Sequence, residues 1–293
     1  MQAEFFECHG HIMMDGADLS AATLRHKNKV DAAAVRRNLE ALAESGVVYF
    51  REAGDNLDVC GYAKQVAHEY GIRYVTPAFA IHKKGRYGGT VGHCFDTVDE
   101  YRKLISKAKD SGADYIKLMM SGIMTFAAGG ELSGPCLSPE EIAELVGVTH
   151  DAGLRVMAHV NGADTIKAAL KAGTDSIEHG YFMDDDCIDL LVRTKAVWTP
   201  TLAPVAVFSG MGDDKAEVAG QILEDHMRSV GKAFSAGAYV ASGSDSGAFG
   251  VPHGVGIIKE CDLLHRASGM DEASFAKQLR AANERVRDVF TPY

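Results

Sequence analysis

Short apolar segments rich in β-branched and aromatic residues alternate with amphipathic segments along the whole chain. The apolar segments are typical of strands, and the amphipathic segments have the spacing of helices. The pattern predicts eight strands, at residues 5–11, 47–50, 72–80, 115–119, 154–159, 175–178, 197–201 and 239–242. It predicts helices at residues 32–43, 98–108, 139–150, 163–170, 217–234 and 270–290. Eight strands, each followed by helical sequence, predict an α/β fold of the (β/α)8 TIM-barrel type.

No linker, low-complexity tract or change of composition divides the chain, so residues 1–293 are expected to form a single barrel domain. Two Gly-rich loops interrupt the repeat, at residues 82–96 and 121–137. Both are expected on the C-terminal face of the barrel, where barrel enzymes place their active sites.

Composition and net charge argue against some classes of binding partner. The net charge of -10 and the low isoelectric point argue against nucleic acid or an anionic membrane surface as the partner. The six cysteines are scattered, with no C-x-x-C, which favours reduced thiols in the cytosol. Neither a signal peptide nor a long apolar run is recognisable. These features predict a cytoplasmic protein that acts on a small molecule.

Potential metal ligands recur at the ends of the predicted strands. His9 and His11 end the first strand, where side chains two residues apart point to the same side. Taken singly, each candidate has an ordinary explanation, such as a core histidine or a helix N-cap. At one mouth of a barrel, however, the whole set predicts a metal site. Its remaining members, in the fourth, fifth, sixth and eighth repeats, are Lys117, His159, His179 and Asp245.

Lys117 is the most unusual member, because it lies between Ile116 and Leu118 in a strand expected to be buried. A buried charged amine is costly without a partner, and burial lowers the pKa of a lysine. A neutral amine can take up carbon dioxide as a carbamate, whose two oxygens can bridge two metal ions.

This set of residues resembles the binuclear members of the amidohydrolase superfamily. Their pattern is His-X-His after strand one, Lys in strand four, His after each of strands five and six, and Asp after strand eight. The resemblance implies two divalent metal ions, with zinc expected. It implies that His9, His11 and Asp245 hold one ion, that His159 and His179 hold the other, and that carboxylated Lys117 bridges them.

The flanking residues 112–122 and 175–180 resemble the imidazolonepropionase-like and prolidase-like branch of that superfamily. Arg51 and Glu52 resemble the Arg-Asp pair that this branch usually carries in strand two. The branch usually has a small β-sandwich domain built from both termini, and none is recognisable in this sequence. The surface that this domain covers in relatives is then expected to be exposed or covered by another subunit of a homo-oligomer.

The resemblance implies hydrolysis of an amide, cyclic amide or dipeptide-like C–N bond by a metal-activated hydroxide, with Asp245 as general base and then acid. A lactonase or esterase on the same site is an alternative. A mononuclear zinc deaminase is another, although such enzymes generally lack the strand-four lysine and have a Glu where Gly162 lies. A non-catalytic metal-binding barrel is a third.

Residues in the loops are expected to set specificity. Arg86 and Tyr87 are candidates for binding a substrate carboxylate and packing against the substrate body. Asn161, Tyr181 and His253 lie beside the predicted ligands and are candidate substrate contacts. Trp198 and the Met119-Met120 pair are expected to be packing residues.

Overall fold

The structure is a computed structural model that describes residues 4–126 and 130–291. Within these residues, parallel strands form a barrel and helices surround it, which confirms the predicted (β/α)8 fold. The strands in chain order are β1 (Phe5–Gly10), β2 (Val47–Glu52), β3 (Arg73–Val75), β4 (Ala80–Lys83), β5 (Gly92–Phe95), β6 (Ile116–Met119), β7 (Met124–Thr125), β8 (Glu131–Leu132), β9 (Val156–Val160), β10 (Ser176–His179), β11 (Val197–Thr199) and β12 (Tyr239–Val240).

The helices lie between these strands. They are α1 (Leu19–His26), α2 (Ala32–Glu44), α3 (Val59–Val66), α4 (Val98–Asp110), α5 (Pro139–Asp151), α6 (Ala163–Lys171), α7 (Asp185–Thr194), α8 (Leu202–Ser209), α9 (Ala216–Ser235), α10 (Val255–Ser268) and α11 (Glu272–Phe290), with a 3-10 helix at Ala67–Tyr70. Thr97 and Ser138 begin α4 and α5 with capping boxes, in which side chain and backbone satisfy each other's hydrogen bonds. None of the helices in the described part of the chain is both long and apolar enough to cross a membrane.

Two parallel sheets make up the wall of the barrel. One has the order β1-β2-β3 and the other β12-β11-β10-β9-β6-β4-β5. They meet on one side where the backbone N–H of Cys8 donates to the carbonyl of Ser242, at 3.0 Å. On the other side the N–H of Thr76 donates to Asp114 Oδ2, at 2.8 Å, and the N–H of Asp114 donates back to the carbonyl of Thr76. These bonds bring the carboxyl ends of the strands to one mouth.

The third barrel strand differs from its prediction. Residues 72–80 were expected to be one continuous strand, but β3 and β4 are separated at Pro77 and Ala78. Pro77 has no N–H to donate to a neighbouring strand, and Ala78 has a left-handed backbone with φ 63°. The chain therefore leaves the hydrogen-bonded sheet after β3 and rejoins it at the start of β4.

Both predicted loops contain strands. In the loop 82–96, β5 pairs in parallel with β4, and Gly92 permits this pairing because a Cβ there would overlap the backbone of Ala80. In the loop 121–137, β7 and β8 form a short antiparallel pair. Residues 127–129 of this loop lie outside the described part of the chain.

The predicted closing helix is confirmed as α11. Its residues Ala282, Val286 and Phe290 pack with Tyr49 and Tyr115, which belong to or adjoin the barrel strands. All five side chains are almost completely buried. The apolar floor formed by this packing supports the strands whose opposite ends carry the candidate ligands.

Candidate metal centre

Five of the six candidate ligands lie near or just beyond the carboxyl ends of barrel strands, and the sixth, Lys117, lies within β6. His179 ends β10, and Asp245 follows β12 with its N–H bonded to the carbonyl of His9 at 2.8 Å. His179 and Asp245 have left-handed backbones, with φ of 64° and 57°, and so does Thr201 after β11, with φ of 53°. Residues other than glycine rarely adopt this conformation, and such strain is concentrated at functional sites.

The six side chains form one cluster. Nε2 of His9 lies 3.4 Å from Nζ of Lys117 and 3.7 Å from Oδ1 of Asp245, and Nε2 of His11 lies 3.7 Å from the same oxygen. Potential ligand atoms of His9, His11 and Asp245 lie within 4.8 Å of one another. The ring of His179 is centred 4.8 Å from that of His9 and 4.6 Å from that of His159. Imidazole and carboxylate donors at this spacing fit divalent metal ions.

Hydrogen bonds fix which nitrogen faces the cluster for three of its four imidazoles. Nδ1 of His9 donates to Glu178 Oε2 at 2.6 Å, and Nδ1 of His11 donates to the carbonyl of Gly54 at 3.2 Å. These bonds leave Nε2 of both rings with a lone pair. His159 has the opposite arrangement, because its Nε2 lies 3.2 Å from the carbonyl of Gly122 and Nδ1 remains available. Second partners of this kind orient metal-binding histidines.

A buried ion pair between Arg51 and Glu178 holds the ring of His9 in place through Glu178. Glu178 accepts hydrogen bonds from Nη2 of Arg51 at 2.8 and 3.0 Å and from the hydroxyl of Ser176. Arg51 also donates to the carbonyl of Cys8 at 2.7 Å. Both Arg51 and Glu178 are completely buried. The sequence prediction missed the role of Glu178, although a carboxylate between Ile177 and a candidate ligand, in a strand expected to be buried, was a usable signal.

Two further buried glutamates hold the segments that carry the other ligands. Glu52 accepts hydrogen bonds from the backbone N–H groups of Ile12 and Gly54, at 3.0 and 3.1 Å. Ile12 follows His11 in the chain, and Gly54 carries the carbonyl to which His11 donates. Glu7 accepts bonds from the backbone and hydroxyl of Ser244, at 2.7 and 2.5 Å, next to Asp245. Burial raises the pKa of Glu7 to about 7 and that of Glu52 to about 8.

Burial also sets the charge of the cluster. It lowers the pKa of His11 and of His159 to about 3, and it moves the pKa of His9 and His179 in the same direction. The imidazoles are therefore neutral at neutral pH, the form in which histidine binds metal. Burial lowers the pKa of Lys117, which favours the neutral amine.

The cluster lies at the base of a cavity of about 690 Å³. Of the predicted substrate contacts, Tyr87, Asn161 and Tyr181 line this cavity. The amide of Asn161 donates to the carbonyl of Gly122 at 3.3 Å and accepts from the N–H of Tyr181 at 3.0 Å. Asn161 therefore holds two loops together beside His159.

The structure does not bring Arg86 and His253 into this lining. The guanidinium of Arg86 donates to the carbonyls of Pro135, at 3.2 Å, and Cys136. Nε2 of His253 lies 2.9 Å from the carbonyl of Met14, to which it donates. Both side chains thus donate to the protein's own backbone, which the sequence alone could not show.

The packing expectation for Trp198 is confirmed. Trp198 is completely buried and its Nε1 donates to the carbonyl of His179 at 2.9 Å.

Curated relatives are similar in sequence to part of this chain. Ochratoxinase of Aspergillus niger is 26% identical over 209 residues, which cover 69% of this chain and 42% of the ochratoxinase. An uncharacterized protein of Mycobacterium tuberculosis is 26% identical over 254 residues, which cover 84% of this chain and 61% of that protein. The chain thus spans less than two thirds of the length of these relatives.

Solved structures share the fold. A Xaa-Pro dipeptidase with bound methionine superposes with a TM-score of 0.78 at 22% identity, over 97% of this chain and 76% of that one. The A. niger ochratoxinase superposes with a TM-score of 0.77 at 20% identity, over 96% of this chain and 70% of that one. The model of the amidohydrolase family matches residues 5–292. Because this match covers almost the whole sequence, the chain belongs to the amidohydrolase family.

Proposed function

We propose that this chain is a metal-dependent hydrolase that cleaves the C–N bond of an amide, cyclic amide or dipeptide-like small molecule. In this proposal His9, His11 and Asp245 would hold one divalent ion, with zinc expected. His159 and His179 would hold a second ion, and Lys117, converted to a carbamate by carbon dioxide, would be a ligand of both. The observation that carries the proposal is the position of Nζ of Lys117, buried and 3.4 Å from Nε2 of His9.

The protein groups have separate tasks in this reaction. Metal ions bound here would supply activated water near neutral pH and polarise the scissile carbonyl. Asp245 keeps part of its side chain exposed to the cavity. We assign its carboxylate oxygen that does not face His9 and His11 to accept the proton of the attacking water and to return that proton to the leaving nitrogen. Glu178 holds His9 in one orientation, and Asn161 holds the loop whose carbonyl orients His159.

The size of the cavity supports a small-molecule substrate. Small-molecule sites usually measure roughly 300–1,000 Å³, and this cavity of about 690 Å³ lies within that range. A mononuclear deaminase is less well supported, because it gives no role to the buried amine of Lys117 among the histidines.

The test is a comparison of the wild-type chain with Asp245→Asn after loading with zinc and bicarbonate. Substrate panels would contain N-acyl amino acids, dipeptides, cyclic amides and lactones, and ammonia release would be followed separately. We expect amide hydrolysis by the wild type and a loss of about 100-fold or more in the variant, the usual contribution of a general acid and base. Ammonia release from amino-substituted rings without amide hydrolysis would favour the deaminase, and lactone hydrolysis alone would favour the lactonase.

A further inference from the structure

The upper wall of the cavity is apolar and aromatic. The ring of Phe208, in α8, is centred 4.8 Å from Phe126 and 5.8 Å from Phe249. All three phenylalanines line the cavity. They form a continuous aromatic surface, here called the aromatic wall, that runs from the β7 segment to the loop after β12.

The helix α8 explains why this wall is apolar. The sequence of α8 is apolar on every side, which is unusual for a helix on the outside of a barrel. Leu202, Ala203 and Val205 are buried, and the helix packs against α9 and α10. Val205 and Phe208 belong to the cavity lining. The helix therefore supplies apolar side chains both to the packing against α9 and α10 and to the cavity.

The rim of the cavity is apolar as well. Four of its lining residues are large apolar side chains that are between 37% and 50% exposed: Leu19, Tyr87, Ile123 and Phe249. Single exposed apolar residues are common, but four around one cavity mark a surface that gains free energy when a ligand covers it.

Away from the metal-ligand cluster, the described part of this lining offers no counter-ion to a substrate carboxylate. Among its described residues, Lys117 is the only lysine or arginine, and it belongs to the metal-ligand cluster. Asp18 and Asp245 are acidic. The sequence between Phe126 and Gly130 contains no charged residue. A carboxylate that leaves water to lie against the aromatic wall, away from the proposed metal centre, would lose hydration without gaining a cation.

We propose that the cavity selects neutral amides with an aromatic or bulky apolar group beside the scissile bond, and that it discriminates against substrates with a free carboxylate. This proposal rests on the proposed amide hydrolysis. It narrows the substrate class by excluding free dipeptides, whose C-terminal carboxylate would face the aromatic wall or the acidic side chains.

A matched pair of substrates tests the proposal. N-benzoyl-phenylalanine and N-benzoyl-phenylalaninamide differ only in the carboxylate, and benzoate release from both can be followed by chromatography. We expect kcat/KM of the zinc-loaded chain to be at least about tenfold higher for the neutral amide, since an unpaired buried charge costs more than a factor of ten in binding. An equal or higher value for the carboxylate would overturn the proposal and leave the hydrolase activity intact.

A charge added to the aromatic wall should change this preference. Phe208→Arg is expected to shift the ratio of the two kcat/KM values toward the carboxylate by about tenfold or more. Met211→Arg adds the same charge at an exposed position outside the lining, and it should leave the ratio unchanged. An equal shift in both variants, or none in Phe208→Arg, would contradict the role of the wall.

Binding gives a readout that does not depend on turnover. Calorimetric titration of the metal-free chain should show tighter binding of the neutral compound than of the carboxylate. If the whole amide panel remains uncleaved, the proposed hydrolase activity fails, and the titration still decides the preference. Equal or tighter binding of the carboxylate would overturn the proposal in that case too.

Discussion

Replacement of Glu178 by glutamine would leave Arg51 without a negative partner inside the barrel. The carboxylate accepts two contacts from Nη2 of Arg51, at 2.8 and 3.0 Å, and one from Nδ1 of His9, at 2.6 Å. Glutamine has the same shape but carries no charge and presents one donor in place of an acceptor. The amide N–H₂ therefore faces either the guanidinium or the imidazole N–H, and both of these are donors.

The expected cost follows from burial. Both members of the pair are completely buried, so water does not replace the lost partner. Removal of one member of a buried ion pair costs about 3–5 kcal/mol, which is a large part of the roughly 5–15 kcal/mol that stabilises a typical domain. The altered support of His9 should also lower zinc affinity by about 10- to 100-fold, as expected for a second partner of a metal ligand.

Urea unfolding of the metal-free chain, followed by circular dichroism, measures the change in the free energy of unfolding separately from metal binding. Glu69→Gln is the matched control, since Glu69 forms the same kind of pair with Arg36, at 2.6 and 3.1 Å, on the exposed surface. Solvent screens that pair, so the control should unfold close to the wild type. If Glu178→Gln and Glu69→Gln unfold at the same urea concentration, the reasoning about the buried pair is wrong.

Three other predictions concern the backbone and the buried polar groups. Gly10→Ala should destabilise the chain by about 1–3 kcal/mol in thermal unfolding, because its Cβ would lie 2.5 Å from Oγ of Ser246 and 2.7 Å from the ring of Phe50; an unchanged midpoint would contradict this. Asn161→Ala should cost about 1–3 kcal/mol in the same assay, because it leaves the buried backbone N–H of Tyr181 without its hydrogen-bond acceptor; a neutral effect would contradict the role of Asn161 as a link between loops. Burial raises the pKa of Glu260 from 4.5 to about 8, so the folded chain keeps a proton that the unfolded chain releases. The stability of the metal-free wild type relative to Glu260→Gln should therefore fall as the pH rises from about 4.5 to about 8, and a difference that stays constant or grows over this range would refute the assignment.

The candidate cluster could be predicted from sequence because of where its members lie. His9, Lys117, His159 and His179 belong to apolar segments that the period of the chain identifies as strands. The carboxyl ends of parallel barrel strands meet at one mouth, so positions distant in sequence were expected to be close in space. Lys117 was informative because a lysine in a buried strand needs a chemical reason.

Other features depend on contacts that no local pattern records. The backbone carbonyls of Pro135 and Cys136 bind Arg86, and the sequence gives no sign that these two loops meet. The helix α8 was missed because its apolar residues lack the period of a surface helix. The N–H groups at its start are satisfied by Glu260 from α10, at 3.0 and 2.7 Å, instead of by a local capping residue.

The most direct test of the proposed metal centre is the metal content per chain, measured by elemental analysis after loading with zinc and bicarbonate. The wild type would be compared with Lys117→Ala, with circular dichroism as the control for folding. We expect about two zinc ions per wild-type chain and a clear reduction in the folded variant, because the variant lacks the bridging group. One ion in both proteins would contradict the bridging role of Lys117 and the binuclear centre.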